Sequence, residues 1–267
     1  MKMQTVRFNN GVEMPLLGYG TYQEAARITE GCVAEALRAG YRSIDTAQCY
    51  GNEREVGAAC RKSGIPREQL FITTKLWACR SYADTLRSID SSLSALGLGY
   101  IDLLLIHEPG GDEAEIYRAM ETALRAGKLR AIGVSNFLED RYRALLQHCE
   151  IPPAVNQMET HVFRQQLALR ALESQHGTAH ESWSPLACGK NGIFHHPVLA
   201  DISRAHTCTP AQVALRFLTQ QGIIAIPKTT HPDRMRENLA SLSLTLSAEE
   251  MQRLEALDTG RSLFGWW

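Results

Sequence analysis

Short apolar or β-branched runs recur along the chain and alternate with stretches of helical period. The runs are LLGYGT (16–21), YRSIDTA (41–47), LFITTKL (70–76), IDLLLIH (101–107), LRAIGVSN (129–136), PAVNQME (153–159), HESWS (180–184) and IIAIPKT (223–229). Runs of this length and composition read as buried strands. Between them lie segments with apolar positions three and four apart, such as AARITEGCVAEALRAG, ADTLRSIDSSLSALG and TPAQVALRFLTQQG. Several stop at a glycine (Gly40, Gly64, Gly97, Gly127, Gly177 and Gly222), the residue that most easily ends a helix. Strict alternation of strand and helix implies a parallel sheet. Eight such strands without a linker or composition shift predict an α/β fold, a single (β/α)8 TIM barrel occupying residues 1–267 as one domain. Ahead of it, TVRFNNGVEM carries Asn10-Gly11 between alternating residues, which predicts an N-terminal β-hairpin with a type I′ turn across the bottom of the barrel.

Composition narrows the partners. With 267 residues, 44% of them hydrophobic, the chain can bury a sizeable core. Its 28 basic and 29 acidic side chains give a formal net charge of -1, which leaves no electrostatic footprint for nucleic acid or a membrane surface and favours a small-molecule partner. Seven scattered cysteines with no CxxC pair read as reduced thiols of a cytoplasmic protein. The start MKMQTVRFNNG has no apolar signal-peptide core, and no run approaches the ~18 apolar residues that span a bilayer. His195-His196 has no third ligand at metal spacing, so these are read as loop histidines and no metal is expected.

Barrel enzymes place their chemistry at the C-terminal ends of the strands. Here those ends are polar: Asp45 and then Tyr50, Lys75, His107, Ser135 with Asn136, Gln157 with Glu159, Trp183, and Lys228 with Thr229. A tyrosine hydroxyl, with a reference pKa of ~10, exchanges its proton poorly at neutral pH. An ammonium about 4 Å away favours tyrosinate by up to about 4 kcal/mol at an effective dielectric of ~20, before desolvation pushes back. Lys75 can supply that charge, Asp45 can hold Lys75, and His107 can orient a carbonyl oxygen. The set suits proton delivery to a carbonyl oxygen while hydride reaches the carbon.

These residues carry a resemblance. IDTA-x-x-Y, TTKLW, LIH, GVSNF and IPK, in this order and spread over nearly the whole length, resemble the aldo-keto reductases, in particular the bacterial diketogluconate reductase and prostaglandin F synthase-like branch. The resemblance implies an NADPH-dependent carbonyl reductase, a monomer, with Asp45, Tyr50, Lys75 and His107 catalytic and Tyr50 the general acid. It further implies that Ser135, Asn136 and Gln157 bind the nicotinamide carboxamide and that Trp183 stacks on the ring. Gly20 and Thr21 would lie by the ribose, and the segment 184–189, with Leu186, would run over the pyrophosphate. Lys228, Thr229, Arg234, Glu237 and Asn238 would surround the adenosine 2′-phosphate and adenine. The residue types agree with that last assignment, because lysine and arginine suit a phosphate dianion.

The chain departs from the family where substrate is expected. Glu108 follows His107 where many relatives have tryptophan, and joins Tyr22 and Trp77 as a candidate pocket residue. The C-terminal segment GRSLFGWW is brief, and at least one of Trp266 and Trp267 is expected to pack at the rim beside Tyr22 or Trp77. Two other functions use the same barrel: a Schiff-base lyase with Lys75 as nucleophile, and a nucleotide-sensing module without turnover.

Overall fold

The computed structural model describes residues 3–265. β1 (Thr5–Arg7) and β2 (Glu13–Pro15) pair antiparallel as the predicted hairpin, with Val6 opposite Met14. Its turn is not type I′. Gly11 is the turn's one residue of positive φ, at +85°, whereas type I′ requires two. Gly11 N donates to Phe8 O at 2.9 Å and Phe8 N to Val12 O at 2.8 Å, a type I turn closed by a glycine bulge. Asn10 spends its side chain instead, donating to Arg130 O at 2.9 Å and so tying the hairpin to the barrel.

The barrel strands are β3 (Tyr19–Gly20), β4 (Ser43–Asp45), β5 (Phe71–Leu76), β6 (Ile101–Ile106), β7 (Leu129–Ser135), β8 (Val155–Glu159), β9 (Ala179–Trp183) and β10 (Ile224–Ala225). They run parallel and pair in chain order from β3 to β10. The residues just before β3 close the ring: Gly18 N donates to Ala225 O and Ala225 N to Leu16 O, both at 2.9 Å, and Leu17 bridges Ala225. The predicted (β/α)8 barrel is therefore present.

The helices are α1 (Ala26–Ala39), α2 (Glu53–Lys62), α3 (Tyr82–Leu96), α4 (Glu113–Arg125), α5 (Glu139–Leu146), α6 (Leu167–Gln175), α7 (Pro197–Ala205), α8 (Pro210–Gln220), α9 (Pro232–Ala240) and α10 (Ala248–Glu255). Gly40 and Gly97 cap α1 and α3 in the left-handed region, as their placement predicts. Sequence period did not announce α7 or α10. Each carries a local signal: Pro197 at the first turn of α7, and a capping box before α10, where Ser247 N donates to Glu250 Oε2 at 2.7 Å and Glu250 N to Ser247 Oγ at 3.2 Å. Among the described residues no helix is long and apolar enough to cross a membrane.

Successive strand residues face alternately helices and barrel interior. At the hairpin end the interior is apolar, where Phe8 and Met14 pack with Phe71, Leu103, Ala131 and Val155. Strand approach there is close enough to require Gly133, where a Cβ would lie 2.4 Å from Val155 O and 2.9 Å from a Leu105 methyl. Further along the strands the interior turns polar, and Asp45, Lys75, Ser135, Gln157 and Glu181 are all buried.

Candidate active site

Lys75 projects from β5 with no exposed surface, and its ammonium has three partners: Asp45 Oδ1 at 2.5 Å, Thr46 O at 3.1 Å and Tyr50 Oη at 3.4 Å. Tyr50 reaches it from the 3₁₀ turn Gln48–Tyr50, which follows β4 and ends at Gly51 in the left-handed region. Two side chains fix that turn. Buried Asn52 accepts from Thr46 Oγ1 at 2.6 Å and donates to Thr21 O at 3.2 Å. Gln48 donates to Ser88 and Ser92 hydroxyls, both at 2.8 Å, and accepts from Trp77 N at 2.8 Å. His107, just past β6, sets its ring 5.6 Å from that of Tyr50. The fold thus brings together Asp45, Tyr50, Lys75 and His107.

Their electrostatics differ in one respect from the sequence expectation. Burial of Lys75 alone would favour the neutral amine, but the charges of Asp45 and Tyr50 and the Asp45 hydrogen bond outweigh it and hold the ammonium charged. Tyr50 is not drawn below its ordinary value: burial pushes its hydroxyl up to about 12, with Lys75 pulling down and Asp45 pushing up. Asp45, close against the ammonium, cancels much of the charge Tyr50 feels. Burial and the Lys75 charge push His107 down to about 3, so the imidazole is neutral. Its Nδ1 lies 3.3 Å from Sγ of Cys49, an exposed residue whose thiol is pushed up from its ordinary value by partial desolvation. A thiol that donates to Nδ1 leaves the ring proton on Nε2.

At the rim, Tyr22 and Trp77 are exposed, with rings 5.0 Å from Tyr50 and 5.3 Å from His107 respectively. Trp77, Cys79, Glu108, Pro109 and Ile116 line a cleft of about 530 Å³. The Glu108 carboxylate accepts from Asn136 Nδ2 at 2.8 Å, and burial pushes it up to about 7 against that hydrogen bond.

The other candidate residues form an arc beyond Asp45. Asn136 turns through a positive φ of 64°, which asparagine tolerates, and its Oδ1 accepts from Trp183 Nε1 at 2.8 Å. Ser135 Oγ donates to Gln157 O at 3.0 Å, while Gln157 Nε2 donates to Asp45 Oδ2, also at 3.0 Å. Gly20 packs so that a Cβ would meet Ile226 O at 3.0 Å, and Thr21 Oγ1 donates to Asp45 O at 3.0 Å. Leu186 is half-buried on the segment after β9, where Ser184, Ala187 and Cys188 all take positive φ. Thr229 O accepts from Tyr19 Oη at 2.8 Å. On α9, Arg234 is exposed, Asn238 is buried, and Glu237 accepts from Thr209 Oγ1 at 2.7 Å. His196, read as a loop residue, packs its ring 5.5 Å from Phe163.

Two buried carboxyls have roles the sequence did not disclose. Glu159 gathers Arg164 Nη1 and Ser262 Oγ at 2.6 Å, Leu263 N at 2.8 Å and His161 Nε2 at 3.1 Å. It thereby moors the C-terminal segment to the end of β8. That segment is held again by Lys190, which donates to Leu263 O at 2.6 Å, and Phe264 meets Trp183 with ring centroids 5.2 Å apart. Trp266 and Trp267, expected at the rim, lie outside the described residues. The second carboxyl, Glu24, accepts from Tyr19 Oη at 2.5 Å beside the Thr229 backbone. Burial raises it, opposed by that hydrogen bond and the Lys228 charge. The distant partners are what sequence hides: Ser262 and Leu263 lie 103 and 104 residues from Glu159, and Thr229, beside the Glu24 site, is 210 residues from Tyr19.

The chain matches the family model described as Aldo/keto reductase family over residues 7–192 and 195–259. It is 42% identical over 265 residues to 9,11-endoperoxide prostaglandin H2 reductase of Trypanosoma cruzi (strain CL Brener), covering 97% of this chain and 93% of that protein. It is also 42% identical to glyoxal reductase of Bacillus subtilis (strain 168) over 257 residues, 95% of this chain and 92% of the other. Among solved structures, an aldo-keto reductase from a Medee basin deep-sea metagenome library superposes with a TM-score of 0.95 at 40% identity, covering 97% of each chain.

Proposed function

Because this chain belongs to the aldo-keto reductase family, we propose that it is an NADPH-dependent carbonyl reductase, with Tyr50 as general acid assisted by Lys75, Asp45 and His107. The observation that carries this reading is the buried ammonium of Lys75 placed between Asp45 Oδ1 and Tyr50 Oη. When bound, the nicotinamide supplies the hydride. Tyr50 retains its proton at neutral pH and so is ready as an acid. An alkoxide is a stronger base than even a phenolate of pKa about 12, so the transfer is downhill. Lys75 then faces the tyrosinate, and Asp45 keeps Lys75 in place. Neutral His107 donates from Nε2 to the same oxygen and orients it. A Schiff-base role fits poorly, since that nucleophile must be a neutral amine and Lys75 is held charged.

The residues present suit a dinucleotide bearing a 2′-phosphate. Lys228 and Arg234 are exposed and, among the described residues, form no ion pair, whereas neighbouring Arg236 pairs with Asp233 at 2.5 Å. Two exposed cations outside any ion pair, around one helix start, match a phosphate dianion. Arg234→Ala is expected to weaken NADPH roughly tenfold and NADH little. Fluorescence titration with both cofactors checks this, and equal losses would remove Arg234 from phosphate recognition. An NADPH-oxidation screen over aldehydes, ketones, sugars and keto acids tests the whole reading, which fails if no carbonyl supports turnover.

Glu108 gives substrate choice a pH dependence. Its carboxyl ionises through about 7, beside the cleft and the catalytic histidine. The kcat/KM ratio of a keto acid to a neutral aldehyde should therefore fall several-fold as pH rises through about 7, from roughly pH 6 to 8, since like charges repel in a partly dry site. Glu108→Gln should flatten the ratio. A ratio equally steep in the variant would place the effect elsewhere.

A further inference from the structure

Beneath the four-residue set lies a carboxyl that the proposed chemistry does not use. We infer that Glu181 is a positioning residue of that set: its carboxyl lies under the Asp45–Lys75 pair and governs how tightly Tyr50 holds its proton. The inference rests on the assignment of Tyr50 as proton donor.

Glu181 is fully buried at the middle of β9. His180 beside it turns outward to Glu173 at 2.6 Å, so Glu181 faces the barrel interior on the same side of the strand as Trp183. Across the sheet it stands in register with Gln157, whose amide donates to Asp45 Oδ2 at 3.0 Å. Among the described residues neither Glu181 oxygen has a hydrogen bond of normal length. The groups acting on it are Asp45 from β4, Lys75 from β5 and the Gln157 amide from β8.

One ammonium thus serves two carboxyls. A buried carboxyl with no hydrogen bond of normal length, and only the Gln157 amide and the Lys75 charge to favour its anion, strongly favours its neutral form, and a second anion beside Asp45 would be repelled. Burial and the Asp45 charge accordingly hold Glu181 well above the usual carboxylate range, with Gln157 and Lys75 opposing. At neutral pH Glu181 is an acid, and Lys75 answers to Asp45 and Tyr50 alone. At alkaline pH Glu181 ionises, and its charge adds to that of Asp45 in holding Lys75 protonated. The two anions then disfavour a third at Tyr50, which releases its proton later than it otherwise would.

Replacing the carboxyl by a neutral group of like shape reverses the effect. In Glu181→Gln and Glu181→Met, Tyr50 should release its proton about one pH unit lower than in the wild type, while Glu181→Asp should stay near the wild-type position. The direct readout is tyrosinate absorbance of the cofactor-free protein, taken as the difference from a matching Tyr50→Phe background to isolate Tyr50. The kinetic readout is the alkaline limb of kcat/KM for aldehyde reduction with NADPH, which should move by the same amount. Methionine serves if glutamine fails to fold. Superimposable titrations in wild type and neutral variants would overturn the inference, as would an aspartate variant that shifts as far as glutamine. A shift in tyrosinate absorbance without aldehyde turnover in any form, wild type included, would uphold the positioning role and sink the reductase reading.

Discussion

Tyr50→Phe is expected to lower kcat for aldehyde reduction by roughly 10²–10⁴-fold, the usual contribution of a positioned general acid, and to leave the Kd for NADPH within about twofold. The substitution removes one oxygen. Among the described residues its one hydrogen-bond partner is the Lys75 ammonium at 3.4 Å, the longest of the three bonds that Lys75 makes. Lys75 keeps Asp45 and Thr46 O, so the ammonium stays in place. The aromatic contacts to Tyr22 and His107 depend on the ring and survive in phenylalanine. The candidate cofactor residues lie on other strand ends, which is why affinity should hold. Steady-state kinetics on one aldehyde, with cofactor fluorescence titration on the same samples, separates the two effects. Near-normal turnover would transfer the acid role to another group, and lost cofactor affinity would mean that the site had collapsed.

Glu159→Gln should be the most destabilising of the substitutions considered, at about 3–5 kcal/mol, because it leaves the nearly buried Arg164 guanidinium without its counter-charge. For a chain of this length that corresponds to a Tm lower by roughly 10 °C. The pH dependence has a definite sign. Burial would raise this carboxyl, but hydrogen bonds from His161, Ser262 and Leu263 N, together with the Arg164 charge, bring it down to about 2. A depressed acid stabilises the folded state above its ordinary value and ceases to do so as pH falls through the depressed one. The gap in Tm between wild type and Glu159→Gln should therefore be full above pH 4.5 and close towards pH 2. Thermal melts over that range measure it, and a constant gap would show that packing, and not charge, makes the difference.

The strands were legible because each is short, buried on both faces and rich in apolar or β-branched residues, and the polar residues that end them stood out against that background. Asp45, Lys75 and His107 could be seen as members of one ring once the strands were counted. Tyr50 needed the turn after β4. The level at which Tyr50 titrates could not be read, because it depends on how deeply the ring is buried and on how far Asp45 neutralises Lys75, and both are tertiary quantities. The same holds for Glu159, whose partners at Ser262 and Leu263 are 103 and 104 residues away, and for Glu181, which reads in sequence as one polar residue in HESWS. The hairpin turn was missed differently: Asn10-Gly11 is the expected pair, but Asn10 is held by its side chain to Arg130 O.

The hairpin that plugs the strand-starting end of the barrel has a practical corollary for attaching the protein to a solid support. The Asn9–Gly11 tip is exposed and lies at the far end of the barrel from Tyr50. Tethering there would present the reactive mouth to the bulk solution, where carbonyl compounds arrive by free diffusion. Tethering through exposed Cys188 would instead turn the mouth, with Trp183 and its neighbours, toward the matrix and add a transport resistance unrelated to the chemistry. The thiol-directed coupling that first suggests itself for a chain with exposed cysteines is thus the wrong geometry, and the closed end is the handle.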